Sequence, residues 1–100
     1  MRATQEITLL SGEERHAAAP ETFEIPSLSE RRSVPVGGYA KLIFTNGIQV
    51  ERMWVKVTRA LSSGSYYGEL DNDPFLLDLK CGKGMEFQPE HIISILGEEE

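Results

Sequence analysis

Met53, Val55 and Val57 alternate with Arg52, Trp54, Lys56 and Thr58 along the middle of this chain. Side chains of a strand point to opposite faces with a period of two, so the run dictates a strand with one apolar and one mixed face. The β-branched valines and the tryptophan suit a pleated, half-buried surface. Ser62-Ser63-Gly64-Ser65 supplies turn chemistry, and Tyr66-Tyr67-Gly68-Glu69-Leu70 returns as a partner strand. Gly68 inside that strand marks a bulge or a close approach of two backbones. Asp71-Asn72-Asp73-Pro74 closes the unit as a tight corner. The proline drives Asp73 into an extended conformation, and Asx side chains bond nearby backbone. The same acidic cluster lacks the spacing and the bidentate Glu of a calcium loop.

The flanks extend the pattern. Residues 1–10 read as a loosely held end with Ile7, Leu9 and Leu10 as anchors. Ser11-Gly12-Glu13-Glu14 fits a capping box, and Ala17-Ala18-Ala19 before Pro20 predicts a short helix over 12–19. Glu21–Pro26 reads as extended chain, with Phe23 and Ile25 on one side. Ser27–Glu30 repeats the capping box, and Arg31-Arg32 fall where a last helical turn favours cations. Tyr39–Phe44 is a strand with Ala40, Leu42 and Phe44 on one face, and Asn46-Gly47 is a strong hairpin signal. The next strand is expected from Ile48. Ile48 and Val50 share parity with Trp54 rather than Met53, which predicts a bulge near Glu51-Arg52 or a strand that bends to serve two sides.

Beyond Pro74, Phe75–Leu79 is too short for its period to separate helix from strand. Gly82-Lys83-Gly84 is a turn, Met85–Phe87 a short strand with Met85 and Phe87 inward, Gln88–His91 a helical turn, and Ile92–Leu96 a last strand. The fold class is therefore mainly β: a small SH3-like five-stranded barrel, with a short N-terminal helix and an irregular arm packed on it. One hundred residues make a single domain, with 11–35 as helix and arm, 36–96 as barrel, and flexible ends at 1–10 and 97–100.

A net charge of −6 argues against a protein that holds nucleic acid by bulk charge. That charge is uneven: the acids concentrate towards both ends, and residues 31–83 are mildly basic. The single cysteine, Cys81, excludes an internal disulfide and fits a reducing compartment. Residues 1–15 hold no apolar run long enough for a signal peptide, and no stretch approaches a membrane span. A cytoplasmic protein without membrane attachment is the expectation.

Met53-Trp54-Val55, Tyr67-Gly68-Glu69-Leu70, Asn72, Pro74, Leu79-Lys80, Gly82, Phe87 and Ile92 together resemble the YegJ-like family of small bacterial proteins. The resemblance covers the second half of the chain and rests chiefly on the Asn-x-Pro corner after Gly-x-Leu. The chain departs from the family pattern at Lys83-Gly84 and at Ser94-Ile95. The resemblance implies a fold and a bacterial setting, and it supplies no catalytic residue.

Chemistry is sparse. Cys81 lies between Lys80 and Lys83, and cations favour a reactive thiolate. A nucleophile also needs a base, and His16 and His91 are the only histidines. Cys81, His91 and His16 lack the spacing and the fourth ligand of a zinc site. Gly82-Lys83-Gly84 lacks the spacing of a phosphate loop. No metal or cofactor is expected.

The conspicuous feature is the strand face of Arg52, Trp54, Lys56 and Thr58, with Tyr39 and Lys41 on the neighbouring strand. Aromatic rings flanked by cations can clasp a peptide or stack on bases. The competing reading is structural: Phe23 and Ile25 cover Trp54, and the Lys and Arg stems pack around the rim. The expectation is a non-enzymatic protein-binding or adaptor module with a protein partner that the sequence does not name. The alternatives are single-stranded nucleic-acid binding through Arg52, Trp54 and Lys56, and a small enzyme using Cys81. Homo-oligomerisation through a strand edge is compatible with any of these.

Overall fold

The Asn46-Gly47 hairpin joins the two strands that form the spine of the fold, Tyr39–Thr45 and Val50–Ala60. In chain order these are β2 and β3. A computed structural model of the chain describes residues 6–97. The expected flexible ends at 1–5 and 98–100 lie outside the described residues. The sheet is antiparallel and six-stranded, in the order β1 (Thr8–Leu10), β2, β3, β4 (Tyr66–Leu70), β5 (Gly84–Phe87), and it curls as a half-barrel. The last strand, β6 (Ser94–Leu96), returns after a 3-10 turn at Pro89–His91 and pairs with β2 along Tyr39–Lys41.

The structure adds a strand to the expected five. Thr8–Leu10 is not a loose end but pairs with β2 from Thr45 to Ile43. It therefore shares one edge of β2 with β6. Three residues are too few for alternation to announce a strand. Ile7 and Leu9 anchor this segment by packing against the core, as expected of them.

The core follows from register. Ala40 pairs with Val55 and Leu42 with Met53, so the apolar faces of β2 and β3 point the same way. Ala40, Leu42, Val55 and Val57 have no exposed surface, and Phe44, Met53, Leu70, Phe87 and Ile92 are buried with them. Each large side chain buried this way contributes about 1.5–3 kcal/mol of transfer free energy. Tyr66 stacks on Phe87 with ring centroids 5.5 Å apart.

The parity problem at Ile48 resolves without a bulge where one was expected. The β2–β3 register is regular from Thr45–Val50 to Tyr39–Lys56. Ile48 precedes the strand, and Ile48 and Val50 are simply exposed, 74% and 44%. The bulge lies further on, between Val57 and Arg59, opposite β4. Gly68 faces it: a Cβ there would sit 2.5 Å from the Lys56 carbonyl oxygen. The hairpin turn also differs from two consecutive positive-φ residues. Only Gly47 is left-handed, and Asn46 Oδ1 instead accepts the amides of Ile48 and Gln49.

Two short helices cover one end. α1 (Gly12–Ala18) starts at Ser11, whose hydroxyl accepts the Glu14 amide. α2 (Leu28–Arg31) carries a complete capping box between Ser27 and Glu30. Arg31 was expected as a cation at a helix end, yet it is 6% exposed and acts as a tie. Its Nε donates to Pro26 O at 2.8 Å. Its Nη1 donates to Glu13 at 2.7 Å and to Pro89 O at 3.1 Å. The Tyr66 hydroxyl completes the junction by donating to Arg31 O at 2.7 Å and accepting the Val34 amide at 3.2 Å. Helix, arm, 3-10 turn and sheet meet there.

Candidate functional site

The registers of β6, β2, β3 and β4 set the outer face of the sheet as two adjoining rows. One runs Leu96, Tyr39, Lys56, Glu69, and the next runs Ser94, Lys41, Trp54. The structure thus brings Tyr39, Lys41, Trp54 and Lys56 together as direct cross-strand neighbours. Trp54 and Lys41 are half-buried and Lys56 is exposed. The Lys41 ammonium lies 5.5 Å from the Trp54 ring centroid. At an exposed site such a contact is worth about 0.5–1 kcal/mol. That is less than a buried aromatic anchor contributes at an interface, so Lys41 does not close the face to a ligand.

Arg52 and Thr58 stand apart from this group. The Arg52 guanidinium lies 5.4 Å from the Phe23 ring, so the arm reaches this end of the face. Arg52 nevertheless stays exposed, and Trp54 is half-buried. Thr58 is the bulged residue, and its hydroxyl donates to Tyr67 O at 3.1 Å. The bulge shifts the alternation, so Arg59 joins the outer face opposite Tyr67, 5.4 Å from that ring. Arg59 was not singled out from the sequence, because a single-residue bulge reverses parity without a sequence mark.

The backbone of Trp54 is held at both of its polar groups. Its carbonyl accepts the Asp71 amide at 2.9 Å, and its amide donates to Asn72 Oδ1. The corner at 71–74 was read as bonding its own backbone, but it fastens the centre of β3 instead. A tryptophan presented from such a position loses little freedom on binding.

No protein-family model, curated protein or solved structure matches this chain. The reading of the site therefore rests on its geometry.

A second feature escaped the sequence. Glu51, on the face of β3 opposite Trp54, accepts the amides of Phe75, Leu76 and Leu77. Partial desolvation raises its pKa, but these three donors together outweigh it and hold the carboxyl below its ordinary value. The segment 75–79 is accordingly neither helix nor strand. It is a bend latched by one carboxylate, with Leu77 buried and Phe75 92% exposed. Only the high acceptor capacity of a carboxylate could have hinted at it, and nothing in the spacing did.

Cys81 is exposed in its turn, and its thiol points at Leu70 O, 3.5 Å away. Both histidines bond backbone instead: His16 Nδ1 meets Phe23 O at 2.7 Å, and His91 Nδ1 accepts the Gln88 amide at 3.0 Å. No group of three or more His, Cys, Asp or Glu able to hold a metal occurs among the described residues. No helix among them is long and apolar enough to cross a membrane.

Proposed function

We propose that this chain is a non-enzymatic protein-binding module on an SH3-like barrel, and that it docks its partner on Tyr39, Lys41, Trp54 and Lys56. The observation that carries the reading is Trp54 itself. It is a half-exposed aromatic ring among two lysines and a tyrosine, on a strand whose backbone is pinned on both polar groups. The SH3-like assignment is supported by the path of the sheet, a meander from β2 to β5 followed by a 3-10 turn and a last strand that returns to β2. The resemblance to the YegJ-like proteins belongs to the same proposal, as does a cytoplasmic setting, and together they make a bacterial lysate the material to test.

One observation favours a second reading. Lys41, Arg52, Lys56 and Arg59 put four cations on one face beside Trp54 and Tyr67, an arrangement suited to a single nucleic-acid strand. The net charge of −6 opposes it by lowering long-range attraction.

Affinity capture separates the two. Wild-type protein and a Lys41→Ala/Lys56→Ala variant serve as baits, each with and without nuclease. Proteins retained by wild type alone, whatever the nuclease, support the protein-binding reading. Material that vanishes with nuclease moves the assignment to nucleic acid. Identical capture by both baits removes the Trp54 face from consideration.

A further inference from the structure

The strand order leaves β1 and β5 at the two ends of the path, each paired on one side only. Between them lies a cavity of about 340 Å³. Its apolar walls are Ile7 and Leu9 from the β1 segment, Phe44 from β2, Leu79 from the latched bend and Met85 from β5. The volume is at the lower end of small-molecule sites, which run from about 300 to 1,000 Å³.

Two polar groups on its lining set the chemistry. Lys83 makes no ion pair or side-chain hydrogen bond among the described residues. His91 accepts the Gln88 amide through Nδ1, which assigns its proton to Nε2. Burial pushes the His91 pKa below the usual imidazole range, against the pull of Glu90, so the ring is a neutral donor. Glu90 Oε2 stands 3.6 Å from Nε2, beyond hydrogen-bond reach. Glu86 also borders the cavity. Its pairing with Tyr67, between inward Met85 and Phe87, sets its side chain on the outer face. The Lys83 cation at the edge of an apolar slot sets a preference for an anion carrying a hydrocarbon tail, with His91 Nε2–H as a further donor, and it must outweigh the Glu90 carboxylate 3.6 Å from that nitrogen.

We propose that the gap between β1 and β5 is a binding slot for a medium-chain monocarboxylate, with its hydrocarbon chain against Leu9, Leu79 and Met85 and its carboxylate at Lys83 and His91. A medium chain suits a slot whose volume is at the lower end of the small-molecule range. The slot shares none of Tyr39, Lys41, Trp54 or Lys56, so this inference and the binding-face reading stand or fall separately.

The test is a titration of the intact chain with sodium octanoate, followed by NMR of the Leu9, Leu79 and Met85 methyl groups. Octylamine, with the same length and the opposite charge, is the control. The expected result is saturable shifts at these methyls, with a dissociation constant below about 1 mM. Octylamine binds at least about fivefold more weakly, and Lys83→Gln weakens octanoate by about fivefold. Lys83 is exposed, so this variant keeps the fold. The inference is overturned by shifts that do not saturate, by equal binding of the amine, or by an unchanged affinity in Lys83→Gln. It is equally overturned if the methyls respond to protein concentration instead, which would give the slot to a second copy of the chain.

Discussion

Removing one oxygen atom, in Tyr66→Phe, tests how the N-terminal cover is held. The Tyr66 hydroxyl donates to Arg31 O and accepts from Val34 N, and among the described residues no other hydroxyl serves these groups. Tyr66, Arg31 and Val34 are 3%, 6% and 5% exposed, so water does not readily replace it. The phenylalanine ring keeps the stack on Phe87, and packing changes little. What remains is one buried carbonyl and one buried amide without a partner, each costing about 1–3 kcal/mol. The bond to Val34 is the longer, at 3.2 Å, so its share falls at the low end. The expected loss is about 2–4 kcal/mol. For a chain of this size that lowers Tm by roughly 10–20 °C. Urea unfolding followed by fluorescence of the single tryptophan measures it directly, with an unchanged m-value showing that the unfolded state is the same. Tyr67→Phe, on the half-buried outer face, is the control and should shift stability by less than about 0.5 kcal/mol. If Tyr66→Phe costs no more than this control, the junction around Arg31 does not hold the cover, and the reasoning fails.

Two further perturbations probe the latch and the sheet. The folded-state pKa of Glu51 lies below its unfolded value of about 4.3, so its stabilisation is present above that pH and disappears as pH falls through the folded value. Hydrogen exchange should show protected amides at Phe75, Leu76 and Leu77 near neutral pH, with protection lost as pH falls through the folded-state pKa of Glu51 and, at neutral pH, reduced in Glu51→Gln; equal protection in all three cases would discount the latch. Gly68→Ala drives a Cβ against the Lys56 carbonyl and should cost about 2–3 kcal/mol, whereas Gly47→Ala meets open space and pays only for its positive φ, about 1 kcal/mol. Thermal melts that rank the two glycines in the opposite order would contradict the close approach of β3 and β4.

The parts of this structure that could be read from the sequence are those with a local physical cause. The alternation of Met53, Val55 and Val57 fixed the inner face of β3, and Gly68 announced tight contact between backbones. Ser27 and Glu30 announced their helix start three residues apart. That Lys41 shares a face with Trp54 was legible from alternation, but a two-residue Asn46-Gly47 turn would set Lys41 opposite Arg52, and it is the longer turn over 46–49 that sets it opposite Trp54. The unreadable parts depend on partners far along the chain. β1 exists because β2 has a free edge, which three residues of sequence do not reveal. Arg31 is buried because Glu13, Pro26 and Pro89 converge on it. Glu51 looked like any surface acid until the bend at 75–77 folded onto it. The parity of Ile48 and Val50, read as a bulge near Glu51-Arg52 or a bent strand, reflects only their exposure, and the bulge at Thr58 arises separately against β4.

The tie at Arg31 also orders the chain in time. Its partner Pro89 lies 58 positions downstream, and the Tyr66 hydroxyl that grips its carbonyl lies 35 positions downstream. A ribosome delivers α1, the arm and α2 before Tyr66 and Pro89, the points that fasten them. Closing loops of that length sets a cost that purely local structure does not meet. The cover is therefore made before the groups that fasten it and is tied down only after them.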